Sequence, residues 1–272
     1  MPVAKVGDIN IYYEIRGEGE PLVLIMGLGG DINRWFRIRP VLEKEYKVIA
    51  FDNRGVGRTD KPVFPYTMEI MADDVAGLMD ATGIKAAHIF GISLGGMIAQ
   101  NFVLRHPDRV ISLMLGCTFA GGTHSIFNNP VGEGVLNPAR LEALSVEERA
   151  REMLPALYSQ DFIDNNQAII EQQVALSVAN PIDPVGYTMQ LEAVHSHDTY
   201  DRLPEINLPV LVIAGDSDVL IPAENSPIIA RRIPGAELVL LEGMGHGFYT
   251  EARDETAGIL MDFMKRNSPS GK

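Results

Sequence analysis

Cysteine and tryptophan are almost absent from the sequence, whose 272 residues contain one of each. The single cysteine, Cys117, cannot form a disulfide within the chain, and it excludes a zinc site built from several cysteines. No apolar run approaches the roughly 20 residues of a membrane-spanning helix, and the first residues lack the apolar stretch of a secretion signal. These absences predict a soluble protein of the cytoplasm.

Positive charge is also scarce. The chain has 23 lysines and arginines against 36 aspartates and glutamates, a formal net charge of −13. Such a surface repels nucleic-acid phosphates and anionic lipids, so neither nucleic acid nor a membrane is an expected partner. The hydrophobic content of 46% is ordinary for a globular protein. Nothing in the sequence indicates an oligomeric state.

Short apolar runs separated by helical patterns dominate the rest of the chain. Runs of four to six apolar residues without polar alternation are typical of strands buried on both faces of a parallel sheet. The predicted strands are 22–26, 48–51, 87–90, 110–115, 210–214 and 238–241. Helical patterns cover 67–82, the residues between Ser93 and Pro107, and 254–266. This alternation predicts an α/β fold with a mostly parallel central sheet and flanking helices, preceded by a β-hairpin over 3–16.

The alternation of strands and helices stops between about residues 120 and 203. This stretch begins with a loose segment rich in Gly, Asn and Pro and continues as helices. Ser145 and Glu148 form a capping box, which marks a helix start, and Pro181 and Pro184 separate two later helices. We therefore expect a helical lid over 120–203, inserted into a core formed by 1–119 and 204–272. It should cover the carboxyl ends of the strands, where open α/β sheets bind ligands.

The candidate nucleophile is Ser93, at the centre of Gly91-Ile-Ser-Leu-Gly95. The pattern G-x-S-x-G alone arises by chance in a glycine-rich chain. Here a predicted buried strand precedes it and an amphipathic helix follows it, which is the context of a nucleophile elbow. A strand that turns sharply into a helix projects the serine hydroxyl from the sheet, and the flanking glycines remove Cβ atoms that would collide at the corner.

A serine hydroxyl needs an adjacent base to act as a nucleophile at neutral pH. Of the six histidines, His246 is the only one that comes after a plausible triad acid in the chain. It lies in a glycine-rich loop directly after the last predicted strand, at the same sheet edge as Ser93. The triad order of this type of fold is serine, acid, histidine, so His246 is the expected base.

The acid is less clearly marked. After the strand 210–214 the loop contains both Asp216 and Asp218. Asp218 is favoured because it lies further along the loop, where its carboxylate can fold over to the imidazole and hold its tautomer. Asp216 is the alternative, although its place at the strand end suits a role in the turn. The loop after the preceding strand, 115–119, offers no carboxylate.

An acyl-transfer site also needs two hydrogen-bond donors for the developing oxyanion. The backbone N–H of Leu94, directly after the nucleophile, is one expected donor. The other is the N–H of Leu28, in the glycine-rich loop that follows the first core strand. Trp35 and Phe119 are candidate pocket residues, with a core position equally suitable for Trp35.

Five segments together resemble a known superfamily. In chain order they are Met26-Gly-Leu-Gly-Gly30, Asp52-Asn-Arg-Gly-Val-Gly-Arg-Thr-Asp60, Gly91-Ile-Ser-Leu-Gly-Gly96, Gly215-Asp-Ser-Asp218 and Gly245-His246. They resemble the α/β-hydrolase superfamily over essentially the whole chain. The segment 197–204 is most similar to the branch of 3-oxoadipate enol-lactonases, related carboxylesterases and cofactor-free haloperoxidases. Two features depart from other members: Met26 stands where many have histidine, and a serine replaces the aspartate of dehalogenases and epoxide hydrolases.

The predicted function is hydrolysis of carboxylic esters or lactones of small to medium apolar substrates through an acyl-enzyme. No metal or organic cofactor is expected, because no ligand cluster or phosphate-binding loop stands apart from the triad. Three alternatives use the same residues. They are hydrolysis of a carbon–carbon bond in diketone-type substrates, haloperoxidase- or perhydrolase-like chemistry, and a ligand receptor that retains the triad without turnover.

Overall fold

The computed structural model describes residues 2–126 and 143–269. Its centre is one eight-stranded sheet with the strand order β1-β2-β4-β3-β5-β6-β7-β8. The strands are β1 Val3–Val6, β2 Ile9–Arg16, β3 Pro21–Ile25, β4 Lys47–Phe51, β5 Ala87–Ile92, β6 Val110–Gly116, β7 Val210–Gly215 and β8 Glu237–Leu241. The pairs β1–β2 and β2–β4 are antiparallel and every other pair is parallel. The predicted mostly parallel α/β sheet is confirmed.

The predicted hairpin over 3–16 is also present. Val6 pairs with Ile9, so Gly7 and Asp8 form a two-residue turn. Gly7 has φ +51°, a left-handed conformation that two-residue hairpin turns require and that glycine adopts without a steric penalty. The register is therefore fixed locally by the turn.

Helices pack on both faces of the sheet, and further helices occupy the chain between β6 and β7. They are α1 Arg39–Leu42, α2 Met68–Ala81, α3 Leu94–Arg105, α4 Val146–Leu157, α5 Gln160–Asn165, α6 Gln167–Ala179, α7 Pro184–Ser196, α8 Asn225–Arg232, α9 Phe248–Glu251 and α10 Arg253–Arg266. Thr67 caps α2 by accepting a hydrogen bond from the N–H of Ile70. Two apolar layers, one on each face of the sheet, form most of the core.

The apolar run of β8 does not have the environment that its sequence predicts. Leu238 and Leu240 are 40% and 45% exposed, whereas Leu241 is 3% exposed. β8 is the last strand in the sheet order and pairs with β7 alone. The expectation of burial on both faces is wrong for this strand, because a short apolar run does not distinguish an edge position from an interior one.

Four of the helices, α4 to α7, lie between β6 and β7 in the chain. Ser145 and Glu148 form the reciprocal capping box at the start of α4, and Pro184 is the first residue of α7. A separate small cluster packs α4, α5 and α6 together around Leu154, Phe162 and Ile170. The predicted loose segment after residue 120 falls partly on 127–142, outside the described residues, and the division into core and lid stays a prediction.

Within the described residues, none of the helices combines the length and the apolar content that crossing a bilayer requires.

Candidate active site

Ser93 occupies the corner between β5 and α3. β5 ends at Ile92, α3 begins at Leu94, and Ser93 between them has φ +54° and ψ −124°. A positive φ is strained for a residue with a Cβ atom, and such strain concentrates at functional sites. A Cβ atom on Gly91 would lie 2.2 Å from the carbonyl oxygen of Gly95, and one on Gly95 would lie 2.1 Å from that of Ile25. The two glycines are therefore required by the closeness of the backbone at this corner.

His246 is hydrogen-bonded to Asp218. The distance from Nδ1 to the carboxylate Oδ2 is 2.7 Å, and both side chains are almost completely buried. The other carboxylate oxygen, Oδ1, accepts the N–H groups of Leu220 and Ile221 at 2.8 and 2.9 Å. These bonds hold the carboxylate in one orientation, and the imidazole is oriented by it in turn.

The competing acid, Asp216, does not contact the imidazole. Its carboxylate accepts the N–H of Gly243 at 2.7 Å and the hydroxyl of Ser217 at 3.0 Å. Both bonds lie at the surface, and the bond from Gly243 joins the loop after β7 to the loop after β8. Asp216 thus shapes the turn, and Asp218 is the carboxylate that reaches His246.

The second ring nitrogen of His246, Nε2, lies 3.9 Å from the sulfur of Cys117. Ser93 and His246 line the same cavity, but no hydrogen bond between the serine Oγ and Nε2 is formed within the described residues. Catalytic hydrogen bonds are often long without a substrate and tighten when one is bound. Burial is the largest single effect and lowers the pKa of His246, but the charge of Asp218, its hydrogen bond and the interaction with Cys117 together outweigh burial and raise the pKa well above its ordinary value of 6.5.

Cys117, Asp218 and His246 also form the one group of three potential metal ligands in 2–126 and 143–269. A zinc ion lies about 2.0–2.2 Å from each nitrogen or oxygen ligand. The 2.7 Å separation between Nδ1 and Oδ2 leaves no space for an ion between these atoms. Burial raises the pKa of the Cys117 thiol, so at neutral pH the sulfur is a poor ligand. The arrangement fits an acid–imidazole pair better than a metal centre.

The two expected oxyanion donors border the same cavity as Ser93. The loop after β3 passes so close to the nucleophile that a Cβ atom on Gly27 would lie 3.1 Å from Cβ of Ser93. Within the described residues, no acceptor satisfies the backbone N–H of Leu28 or that of Leu94. Both donors are therefore available to a bound ligand.

The cavity has a volume of about 970 Å³, within the range of small-molecule sites. Phe119 lies on its wall, but Trp35 does not. Trp35 is fully buried and packs against Phe90 and Tyr249, with ring centroids 5.7 and 5.2 Å away. The expectation that Trp35 lines the pocket is wrong, because its 3₁₀ helix turns the indole toward the core and Tyr249 takes the wall position.

A family model described as the alpha/beta hydrolase fold matches residues 20–252 of this chain. The chain belongs to the α/β-hydrolase family.

Relatives of this α/β hydrolase align along almost the full chain. The putative carbamate hydrolase RutD of Azorhizobium caulinodans is 31% identical over 266 residues, with 97% of this chain and 98% of the relative covered. The crystal structure of an enol-lactonase from Burkholderia xenovorans has a TM-score of 0.85 at 29% identity, covering 97% and 100% of the two chains. A thermophilic esterase from Thermogutta terrifontis, with malate bound, has a TM-score of 0.84 at 27% identity and 98% coverage of both chains.

One residue beside the loop after β3, the expected oxyanion loop of this hydrolase, has no local signal in the sequence. Gln190 on α7 is completely buried, and its Oε1 accepts the N–H of Gly29 at 2.9 Å. Its Nε2 donates to the carbonyl oxygen of Arg54 at 2.8 Å. Because Gly29 follows Leu28, this side chain fixes the loop that carries the candidate donor. The contact joins residues 161 positions apart.

A second such residue holds the loop that carries His246. Glu251 accepts the N–H of Gly245 through Oε1 at 2.8 Å. Through Oε2 it accepts the N–H and the hydroxyl of Ser159, at 3.0 and 2.6 Å. The N–H of Gly247 also donates to the carbonyl of Leu157, at 2.6 Å. The loop after β8 is thus fastened to the end of α4 and the start of α5.

His197 is also buried and also lines the cavity, but its surroundings differ from those of His246. Burial lowers the pKa of His197 to about 4, so the ring is neutral at pH 7. Its ring nitrogens face the amide of Asn101 at 3.4 Å and the carbonyl of Phe119 at 3.3 Å. Among residues 2–126 and 143–269 no carboxylate pairs with His197, and its contacts are those of a neutral polar side chain packed in the wall.

Proposed function

We propose that this hydrolase cleaves carboxylic esters or lactones of small to medium apolar substrates, with Ser93 as nucleophile, His246 as base and Asp218 as acid. The observation that carries the proposal is the 2.7 Å bond between His246 and Asp218, on the wall of the cavity that holds the serine corner. The similarity to an enol-lactonase and to an esterase supports the same bond classes.

In the first half of the reaction, Nε2 of His246 accepts the hydroxyl proton as Oγ of Ser93 attacks the acyl carbon. The carbonyl oxygen becomes an oxyanion, which the N–H groups of Leu28 and Leu94 stabilise. The tetrahedral intermediate then collapses, and the leaving alcohol takes the proton from the imidazolium. The product of this half is an ester between Ser93 and the acyl group.

In the second half, His246 accepts a proton from a water molecule, whose oxygen attacks the acyl carbon. The same two N–H groups hold the second oxyanion. Ser93 leaves with the proton from the imidazolium, and the carboxylic acid is released. Throughout, Asp218 keeps the proton of the neutral imidazole on Nδ1 and stabilises the charged form.

The insertion between β6 and β7 belongs to the same proposal as a lid over 120–203 on a core of 1–119 and 204–272. Residues of α4, α6 and α7 line the cavity together with residues of the sheet edge. Most of the wall around Ser93 is apolar, with aliphatic side chains such as Leu154, Ile182 and Leu191. The lid residues are therefore expected to select the acyl chain.

A carbamate is the second candidate substrate class, favoured by the 31% identity to a putative carbamate hydrolase. The same triad would attack the carbamate carbonyl, and an amine or ammonia would leave instead of an alcohol. The serine, the base and the oxyanion donors would keep their roles.

The deciding experiment compares Ser93→Ala with Ser196→Ala, which changes an exposed serine on α7. Purified proteins are assayed on para-nitrophenyl esters, a lactone panel, aryl carbamates and vinylogous diketones. We expect Ser93→Ala to lose ester turnover by about 10³-fold or more, while Ser196→Ala keeps it. Ester hydrolysis that survives in Ser93→Ala contradicts the proposal. Turnover of diketones alone would assign carbon–carbon cleavage, and ligand binding without turnover would assign a receptor.

A further inference from the structure

The charged residues that line the cavity beside Ser93 differ in sign from the net charge of the protein. The whole chain has 13 more acidic than basic residues. In contrast, the described residues of the cavity wall include Arg34 and Arg149 but no aspartate or glutamate. Two arginine side chains therefore border a largely apolar space, and no described residue of its wall supplies an opposite charge.

Most arginines of the described chain pair with a carboxylate, as Arg54 does with Asp74 at 2.7 Å. Arg34 instead donates to two neutral groups, from Nη1 to the amide oxygen of Gln173 at 3.1 Å and from Nη2 to the hydroxyl of Ser177 at 2.9 Å. Arg149 donates from Nε to the carbonyl oxygen of Leu144 at 2.9 Å. Neither has a carboxylate within 4.0 Å among residues 2–126 and 143–269, and each keeps unused N–H donors.

Both arginines are held in place by their surroundings. Arg34 extends from the 3₁₀ helix that follows the oxyanion loop and crosses to α6, where Gln173 is almost completely buried. Arg149 lies in the first half of α4, which packs against α6. A guanidinium fixed by part of its donors presents the others in a set direction, which suits a carboxylate.

We propose that Arg34 and Arg149 form an anion-binding subsite, and that the substrate is an ester or lactone with a second, carboxylate group. This inference rests on the proposed function, since it assigns a feature of the substrate to the cavity of Ser93. The carboxylate fills the positive part of the wall while the apolar part holds the intervening carbon chain. Both arginines are only partly exposed, and neutralising such guanidinium groups with a ligand charge favours binding where the dielectric is lower than in water.

Arg34 also has a structural role, because it fastens α6 to the oxyanion side of the cavity. A purely structural arginine would affect all substrates equally, whereas a binding arginine discriminates by charge. The informative quantity is therefore the ratio of kcat/KM for an anionic ester to kcat/KM for its neutral analogue.

The test uses para-nitrophenyl glutarate, which carries a free carboxylate, and its methyl ester, which does not. We expect the wild-type protein to prefer the anionic ester by about tenfold or more, mainly through a lower KM. Arg34→Gln and Arg149→Gln should each lower the ratio, and the double variant should abolish the preference. Added salt should weaken the wild-type preference as well.

One variant serves as the control. Arg231→Gln removes an exposed arginine that has no carboxylate within 4.0 Å in the described chain and does not line the cavity. It should retain the wild-type ratio. The proposal is overturned if the wild type prefers the neutral ester, or if the double variant keeps the wild-type ratio.

If neither ester is hydrolysed, the subsite is decided by binding alone, and the proposed function is decided separately by the wider substrate panel. Glutarate is then titrated calorimetrically into Ser93→Ala and into Ser93→Ala with both arginines replaced by glutamine. Binding by the first protein and not the second supports the subsite. Absence of binding by the first, or equal binding by both, contradicts it.

Discussion

At the scale of single residues, His246 carries the interactions on which the proposed chemistry depends. Its Nδ1 is hydrogen-bonded to Asp218 at 2.7 Å, and its Nε2 lies 3.9 Å from the sulfur of Cys117. The imidazole must be neutral to accept the proton of Ser93 and charged immediately afterwards. The carboxylate therefore affects both the rate and its dependence on pH.

Asp218→Asn should lower kcat by about 10³–10⁴-fold, because the amide no longer favours the productive tautomer. The substitution should also change the pH dependence of kcat/KM. Only the neutral imidazole acts as base, so kcat/KM of the wild type should be lost below a pKa that lies above 6.5. Removing the negative charge lowers that pKa, and the acidic limb should shift to lower pH. The measurement is the pH dependence of kcat/KM for a para-nitrophenyl ester.

Asp216→Asn is the matched control. The asparagine keeps an oxygen that can accept the N–H of Gly243, the bond that Asp216 makes at 2.7 Å. We expect kcat within about threefold of the wild type, as is usual for a surface change. A large loss in Asp216→Asn and a small one in Asp218→Asn would reverse the assignment of the acid.

Gln190→Met should act on the oxyanion loop through Gly29 rather than on substrate directly. The methionine fills the space but leaves the N–H of Gly29 and the carbonyl of Arg54 without their bonds of 2.9 and 2.8 Å. We expect a stability loss of about 1–3 kcal/mol and a fall in kcat of about tenfold with little change in KM. Urea unfolding and steady-state kinetics measure the two effects.

The control for this positioning role is Glu192→Gln, an exposed change on the same helix. It should leave both kcat and the unfolding free energy near the wild-type values. If Gln190→Met loses stability but retains kcat, Gln190 is a structural residue only. A rise in KM as large as the expected fall in kcat would instead indicate that Gln190 contacts the substrate.

The residues that local patterns could predict are those whose role depends on their own short segment. Ser93 has glycines two positions away on each side and a strand and a helix around it, so its corner was predictable. The contact between Asp218 and His246 followed from two loops at one sheet edge. Gln190 and Glu251 were not predictable, because their partners come from distant parts of the chain. The choice between a pocket and a core position for Trp35 could not be made from the sequence, because the direction of its side chain depends on the packing of Phe90 and Tyr249.

At the scale of elements, loops after the strands carry the candidate chemistry and long-range hydrogen bonds hold them. Glu251 joins the loop of His246 to Ser159 at the start of α5. Gln190 on α7 joins the oxyanion loop to the loop of Arg54. Two loops of the sheet edge are thus fastened to the helices between β6 and β7, so the position of those helices and the geometry of the site depend on each other.

The edge strand β8 offers a matched pair of neighbouring leucines. Leu240→Asp should change the unfolding free energy by less than about 0.5 kcal/mol, because the side chain is 45% exposed. Leu241→Asp should cost about 3 kcal/mol or more, because it places a carboxylate at a position that is 3% exposed. Urea unfolding measures both. Equal losses would show that the Leu240 face is covered in solution.

The elements themselves were largely predictable, and the strand runs of β3 to β7 coincide closely with the observed strands. Their apolar runs are buried on both faces, and the capping box places the start of α4 correctly. The order of the strands in the sheet could not be predicted from local patterns. Which strand lies at the edge depends on pairing across the whole chain, so the exposure of β8 could not be obtained from five residues.

At the scale of the whole molecule, the sheet and the inserted helices enclose one cavity of about 970 Å³ around Ser93. The family match over residues 20–252 and the TM-scores near 0.85 establish the architecture. In the proposed function the substrate depends on the cavity wall, whose described residues include two arginines and no carboxylate, whereas the whole chain has a net charge of −13. The fold and the choice of substrate are thus expected to depend on different parts of one chain.

Labelling with a fluorophosphonate tests the central claim most directly, since this probe forms a stable bond with an activated serine. Ester turnover is followed in the same sample, and the labelled peptide is identified by mass spectrometry. We predict one phosphonyl group on Ser93, a loss of turnover in proportion to labelling, and no label in Ser93→Ala. A label on another residue, or full labelling of Ser93 with turnover intact, would contradict the account.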